Sequence, residues 1–164
     1  MSEESAPAKP PRRRKFLVVV DGTPESEVAL VYASLRARRT QGGVTLVTVL
    51  QPGDFQHWLG VENIMKEEAR EEAESILHRL AARVNEIAGV TPELIIRDGK
   101  TADEIKQLIS EDRDIGVLVL GSGTGKEGPG PLVSLVAGGG EKSFAIPVTI
   151  VPGNLTQADL EALT

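Results

Sequence analysis

Apolar residues form five short runs along the chain, and helical patterns and turns separate them. The first run, residues 16–20, is continuous and β-branched, and it ends at Asp21. Such a run is typical of a strand that is covered on both faces, as in a parallel sheet. The same kind of pattern predicts four further strands, at residues 44–50, 94–97, 115–120 and 148–151.

Between these runs, apolar residues recur at helical spacing. Val28, Val31, Tyr32 and Leu35 lie at i, i+3, i+4 and i+7, which predicts an amphipathic helix after the first strand. Thr23 is its predicted N-cap, because a proline follows at the first helical position. The other helices are predicted over about residues 62–88, from Thr101 with Glu104 as its capping-box partner, from about residue 132, and from Thr156 as a short last helix.

The alternation of strands and helices sets the fold class. Strand, helix and strand in succession predict right-handed crossovers, and therefore an α/β fold with a doubly wound parallel sheet of five strands. We expect one domain over residues 16–152. Residues 1–15, rich in proline, alanine, serine and charge, are expected to be a disordered basic tail, and residues 153–164 a C-terminal tail.

The composition excludes several kinds of chemistry. The chain of 164 residues has a formal net charge of -6, two histidines and no cysteine. The lack of cysteine excludes disulfides, thiolate metal sites and cysteine nucleophiles. Nucleic acid is not an expected partner, since the body is acidic and only one Trp, one Tyr and three Phe could stack on bases. No apolar run approaches the roughly 18 residues of a membrane span, and the run after Arg13 and Arg14 is too short for an export signal. We therefore expect a cytoplasmic protein without a membrane partner.

Two loops at the carboxyl ends of predicted strands are candidate ligand sites. Ligands of open parallel sheets bind at this edge, near the point where the strand order reverses. The first loop is Asp21, Gly22 and Thr23, and the second is the glycine-rich stretch over residues 121–131. Glycine lets backbone amides approach a ligand closely and attract phosphate. Neither a P-loop nor a dinucleotide G-x-G-x-x-G motif is present in its required context.

Three segments resemble the universal stress protein family. They are Val-Val-Val-Asp21-Gly-Thr before a helix, Leu-Val-Thr-Val49-Leu, and Leu-Val-Leu-Gly121-Ser followed by a glycine loop and Ile-Pro-Val-Thr-Ile-Val-Pro. The resemblance runs from about residue 16 to residue 152, and in particular to a bacterial subgroup with a variant loop. It implies a cytoplasmic, adenine-nucleotide alpha-hydrolase-like fold with strand order 3-2-1-4-5. It also implies homodimers paired through the edge of the last strand, between Val148 and Val151.

The resemblance further implies where a nucleotide would bind. Asp21 matches the acidic residue beside the adenosine, and Val49 matches the position that meets the adenine. From the residues alone, Asp21 is equally well explained as an acceptor in a strand-end turn, and Ser122 and Lys126 as solvent-exposed. His57 and Trp58 could form a lid, although an anchor for their loop explains them as well.

The family's phosphate motif fits the glycine loop in two registers. The motif is a glycine, two residues, a glycine, nine residues, and a glycine followed by Ser or Thr. Started at Gly121, its second and third glycines fall on Thr124 and Ser134; started at Gly125, all three glycines match but Gly139 replaces the hydroxyl. Both registers stay open, so the candidate site residues are Asp21, Gly22, Thr23, Val49, Gly121, Ser122, Gly123, Gly125, Gly128, Gly138 and Gly139.

The function expected from this resemblance is stress-response binding of an adenine nucleotide. The ligand would be ATP or AMP, with Mg²⁺ accompanying a triphosphate. One alternative is a dimeric interaction module that binds no nucleotide and keeps a vestigial pocket. Another is a weak ATPase in which Asp21 holds a metal or orients water. The chain shows no Ser-His-Asp arrangement and no metal-ligand cluster, so we expect binding rather than catalysis.

Overall fold

Strands and helices alternate along the whole described chain. The computed structural model describes residues 14–51, 61–139 and 144–164, with the helical backbone alone for residues 61–63. The elements are β1 (Lys15–Val19), α1 (Pro24–Thr40), β2 (Gly43–Leu50), α2 (Val61–Ala88), β3 (Glu93–Asp98), α3 (Thr101–Glu111), β4 (Ile115–Ser122), α4 (Pro131–Gly138), β5 (Val148–Pro152) and α5 (Gln157–Leu163). The five predicted strands are confirmed, each within two residues at either end.

The strands form one parallel sheet in the order β3-β2-β1-β4-β5. This confirms both the predicted fold class and the strand order that the family resemblance implied. The apolar run of β1 occupies the centre, where Leu17 and Val18 are fully buried. A strand needs such a continuous run when helices cover both of its faces.

Helices cover the two faces in separate layers. On one face, α1, α2 and α5 pack over a core that includes Val18 and Val20. On the other face, α3 and α4 pack over a core that includes Leu17 and Val19. Successive side chains of β1 therefore feed opposite cores, as the two-residue period of a strand requires.

The predicted start of α1 is correct. The Thr23 hydroxyl oxygen accepts a hydrogen bond from the Ser26 amide at 3.3 Å, and Pro24 is the first helical residue. The helix ends at Thr40, and Gln41 adopts the left-handed conformation with φ of 57°. These caps fix where the chain leaves β1 and where it enters β2.

The predicted capping box between Thr101 and Glu104 is wrong. Lys100 is the N-cap of α3 and makes no side-chain capping bond, so Thr101 is already helical. The Thr101 hydroxyl accepts a hydrogen bond from the Gln51 side-chain amide at 2.8 Å instead. Glu104 lies against Gly99, whose φ of 145° turns the chain between β3 and α3. A contact with a distant strand has replaced the local cap.

The N-terminal boundary differs slightly from the one expected from sequence, whereas the start of the last helix agrees with it. β1 begins at Lys15, one residue inside the segment assigned to the tail, and the Lys15 ammonium pairs with Glu93 and Asp112. Residues 1–13, where the disordered tail is predicted, lie outside the described residues. At the other end, Thr156 caps α5. None of the helices in the described ranges is long and apolar enough to cross a bilayer.

Candidate functional site

A cavity of about 710 Å³ opens at the carboxyl edge of the sheet, at the ends of β1 and β2. The strand order reverses at β1, because the chain passes from β1 outward to β2 and β3 and then returns to β4 on the other side. Open α/β sheets bind ligands at this switch point. The cavity is lined by strand ends and by helices of both layers: Val19, Val20, Asp21, Gly22, Thr48, Val49, Leu50, Gln51, Ala69, Glu72, Ala73, Ile76, Thr101, Ala102, Pro131, Leu132 and Leu135.

The walls of the cavity are mainly apolar. Ala69, Ala73 and Ile76 lie on one face of α2, because they are spaced by about one helical turn. Leu132 and Leu135 of α4 line the cavity from the other helical layer. A volume of about 710 Å³ is within the usual range for a small-molecule or cofactor site. The two small alanines keep this space open on the α2 side.

Asp21 is the carboxylate at the end of β1, and it is exposed at the cavity. Its Oδ1 accepts hydrogen bonds from the Thr23 amide at 3.0 Å and from the Thr23 hydroxyl at 2.5 Å. The turn between them passes through Gly22, whose φ of 80° favours glycine. Within the described residues, no group donates to Oδ2. Asp21 therefore shapes the turn with one oxygen, and its other oxygen faces no donor among the described residues.

Hydrogen bonds between neighbouring elements hold the other strand end in place. The Gln51 side chain donates to the Thr101 hydroxyl, and the Gly99 amide donates to the Leu50 carbonyl at 3.0 Å. Both bonds attach the start of α3 to the end of β2. The Thr48 hydroxyl donates to the Val20 carbonyl at 3.0 Å, which ties β2 to the end of β1. The rim of the cavity is thus built from connected segments rather than from a free loop.

Two of the described residues that line the cavity carry a charge, and both are acidic. Asp21 lies just after β1, and Glu72 occupies an exposed position on α2. Among the described residues that line the cavity there is no Lys, Arg or His. The described part of the polar lining therefore offers hydrogen-bond acceptors and contains no cationic donor.

The first part of the glycine loop packs against protein atoms. Gly121 and Ser122 are the last residues of β4, and they pair with β5. A Cβ on Gly121 would lie 2.1 Å from the Glu25 carbonyl oxygen, at the start of α1. A Cβ on Gly123 would lie 2.6 Å from the Gly128 carbonyl oxygen. Glycine is required at these two positions because the backbone of another segment passes close by.

The rest of the loop folds back on itself beside the cavity. The Gly123 amide donates to the Pro129 carbonyl, and the Gly128 amide donates to the Gly125 carbonyl, each at 3.2 Å. At Gly125, Gly128, Gly138 and Gly139, a Cβ would meet open space, although Gly128 and Gly139 have positive φ. None of the predicted glycines in or after β4 is among the described residues that line the cavity.

The structure thus separates the predicted site residues into two groups. Asp21, Gly22 and Val49 lie together on the cavity wall, and Thr23 sits beside them as the cap of α1. The second group consists of the predicted residues that do not line the cavity: Gly121, Ser122, Gly123, Gly125, Gly128, Gly138 and Gly139. Their contact with a ligand stays a prediction.

Sequence reasoning missed the contribution of the helices. The pattern over residues 62–88 predicts the helix, but not that its residues Glu72, Ala73 and Ile76 line a cavity. The spacing of Ala69, Glu72, Ala73 and Ile76 at i, i+3, i+4 and i+7 was the available signal, because two alanines on one face leave room that a core would fill. His57 and Trp58 lie outside the described residues. The described ranges contain no group of three or more His, Cys, Asp or Glu that could hold a metal ion.

Comparison with known proteins gives the same fold. UspA from Lactobacillus plantarum has a TM-score of 0.70 at 18% identity, over 87% of this chain and 99% of that chain. The hypothetical protein MJ0577 has a TM-score of 0.70 at 21% identity, over 89% and 100%. A universal stress protein in complex with cAMP has a TM-score of 0.59 at 18% identity, over 86% and 98%. At these identities the structural likeness shows the fold alone.

The family follows from the sequence itself. No curated protein sequence is significantly similar to this chain. The sequence model of the universal stress protein family, however, matches residues 12–152, which covers every strand of the sheet and the cavity. The chain belongs to the universal stress protein family.

Proposed function

We propose that this protein binds the adenosine part of an adenine nucleotide in the cavity at the ends of β1 and β2. The observation that carries the proposal is the cavity itself, of about 710 Å³, at the switch point of the sheet. Apolar walls with a few converging polar groups are typical of sites for small molecules. The function is stress-response binding in the cytoplasm, with ATP and AMP as the candidate ligands.

The lining suggests how adenosine would lie. The free Oδ2 of Asp21 is suited to accept a hydrogen bond from a ribose hydroxyl, as acidic residues do in other α/β nucleotide sites. Val49, Leu132 and Leu135 offer apolar surface for the flat adenine ring. Burying an aromatic ring against such side chains supplies most of the affinity. Support from outside the chain is the cAMP complex of a structurally similar universal stress protein.

A second function is favoured by the folded glycine loop and by two exposed apolar side chains in the last two elements of the fold. Ile150 of β5 is 38% exposed and Leu163 of α5 is 61% exposed. β5 is also an edge strand, and an unpaired edge can pair with a second copy. A homodimer through this edge is therefore part of the proposal, and it would serve a dimeric interaction module equally well. Ile150→Lys should convert the dimer to monomer in analytical ultracentrifugation, whereas Thr149→Lys at a half-buried neighbour serves as the comparison.

Weak ATP hydrolysis is a third candidate function, and a phosphate-release assay on the purified protein tests it. Hydrolysis would require Asp21 to orient water or to hold Mg²⁺ through its Oδ2. Asp21→Asn keeps the shape of the side chain but removes the charge. If the protein is an ATPase, this variant should lose phosphate release in the presence of ATP and Mg²⁺; equal background release from both proteins would exclude that activity.

Calorimetric titration with a blocked cavity tests the proposed function. Ala69→Phe places a ring on the half-buried α2 wall, and Ala82→Phe places the same ring on an exposed position of the same helix. Adenosine should bind the parent and Ala82→Phe equally, and it should bind Ala69→Phe at least about tenfold more weakly. Equal affinity of the two variants would place adenosine elsewhere. Absence of binding to the parent protein would contradict the proposal outright.

A further inference from the structure

The charges around the cavity suit some nucleotide ligands and oppose others. Asp21 and Glu72 are its charged lining residues within the described chain, so the wall carries negative charge. A triphosphate brings several negative charges of its own. Like charges that approach within a few ångströms repel each other, and a ligand in the cavity cannot be fully screened by salt.

Several basic residues on the elements around the cavity do not line it. Arg70 follows the lining residue Ala69, but its guanidinium pairs with Glu74 and Asp98, each at 3.8 Å. Lys106 of α3 lies over the ring of Phe144, 5.9 Å from its centroid. Lys100 and Lys126 are exposed and do not line the cavity. Within the described residues, no cation is built into the cavity wall.

Some of the backbone amides that could bind phosphate are already bonded within the chain. The amides of Gly123 and Gly128 donate to carbonyl groups of their own loop, at 3.2 Å each. The helix that follows begins with Pro131, which has no amide hydrogen, and the Ser134 amide is bonded to the Gly130 carbonyl at 3.0 Å. A phosphate group that bound the Gly123 or Gly128 amide would first have to break a hydrogen bond within the loop.

We infer that the cavity selects an uncharged adenosine-type nucleoside over a nucleoside triphosphate, an inference that rests on the proposed function. Its apolar walls accept the base, the Asp21 carboxylate accepts hydrogen bonds from neutral hydroxyl donors, and the Glu72 carboxylate repels phosphate. AMP, with one phosphate, ranks between the two. Repulsion by two carboxylates corresponds to a preference of about tenfold for adenosine over ATP.

The first experiment compares adenosine, AMP and ATP by calorimetric titration without divalent metal, at low and high concentrations of sodium chloride. Adenosine should bind at least about tenfold more tightly than ATP, with an affinity that salt does not change. ATP affinity should rise with salt, because screening weakens the repulsion. ATP binding that equals or exceeds adenosine binding overturns the selectivity and leaves the proposed function standing. No binding of any of the three overturns the proposed function as well.

The second experiment reverses one charge of the wall. Glu72→Lys changes the cavity, and Glu71→Lys makes the same change on a neighbouring exposed residue of α2 that does not line it. Glu72→Lys should tighten ATP binding by about tenfold or more and should change adenosine binding by less than about threefold. Glu71→Lys should leave the ratio of the two affinities near that of the parent. Equal effects of the two variants on this ratio would overturn the inference, and circular dichroism verifies that both are folded.

Discussion

Two segments leave the carboxyl edge of the sheet from neighbouring strands, and they differ in what they contribute. The turn after β1 presents Asp21 and Gly22 to the cavity. The glycine loop after β4 packs Gly121 against α1 and bonds Gly123 to its own later residues. A high density of glycine therefore has two meanings. It can allow a ligand to approach the backbone closely, or, as at Gly121 and Gly123, it can allow another part of the chain to do so.

We expect the largest loss of stability when Gly121, the first glycine of the loop, is replaced. Gly121→Ala puts a methyl group 2.1 Å from the Glu25 carbonyl oxygen, so the first turn of α1 must move away from β4. We expect a loss of about 3 kcal/mol in the free energy of unfolding, measured by urea denaturation. Gly125→Ala is the matched control, because its methyl group meets open space, and it should change stability by less than about 0.5 kcal/mol. Equal losses would show that the two glycines have the same role.

Two threonines of β2 differ in their hydrogen bonding, one at the cavity end of the sheet and the other in its buried middle. The Thr48 hydroxyl donates to the Val20 carbonyl beside the cavity, whereas the fully buried Thr45 hydroxyl has no hydrogen-bond partner within the described residues. Thr48→Val should cost about 1 kcal/mol, because it leaves the Val20 carbonyl without this donor. Thr45→Val should stabilise the protein by about 1 kcal/mol, because an unpaired buried hydroxyl is replaced by a methyl group. If thermal denaturation shows both variants to be more stable, or both to be less stable, than the parent protein, this assignment is wrong.

A smaller effect concerns α5, which belongs to neither loop. The pKa of Asp159 lies below its ordinary value. The main cause is its hydrogen bond with the backbone amide of Thr156, and the second is its hydrogen bond with the Thr156 side chain. Because its pKa is lowered in the folded state, the ionised Asp159 carboxylate stabilises the helix fully when the pH is above the ordinary pKa of about 3.9. This stabilisation is lost as the pH falls through the folded-state pKa. Protection of the α5 amides against hydrogen exchange should therefore decline below about pH 4. Asp159→Asn should remove this pH dependence; its persistence in the variant would assign it to another group.

The smallest expected effect separates the cavity from the outer part of the loop. Gly125 has open space around it and does not line the cavity. Gly125→Val should therefore leave the affinity for adenosine within about twofold of the parent value, since no bound atom is displaced. A loss of binding in this folded variant would show that the outer loop contacts the ligand.

The fold was largely predictable because its signals are local and redundant. The apolar run of β1, the Thr23 cap and the helical spacing in α1 each specify their own element, and the alternation of elements determines the layering. Thr101 shows the limit of this reasoning. A local pattern predicted a capping box, but the side chain of Gln51, 50 positions away in sequence, binds its hydroxyl.

The site was only partly predictable because half of it is built by packing. Asp21 and Val49 follow from their position at strand ends, which any parallel sheet places at one edge. Ala69 and Leu132 come from helices in opposite layers, and only the folded chain brings them to the same cavity. The close packing of the glycine loop was not predictable for a related reason. Its sequence does not reveal that Glu25 lies against Gly121.

We propose that the cavity, and not the glycine loop, binds the ligand. Titration of isotope-labelled protein with adenosine, followed through the backbone amide signals by NMR, distinguishes these two sites. We expect shifts at Gly22, Val49 and Ala102 on the cavity wall, with unchanged signals at Gly125 and Lys126. Shifts confined to the glycine loop, with the cavity residues unchanged, would contradict this proposal.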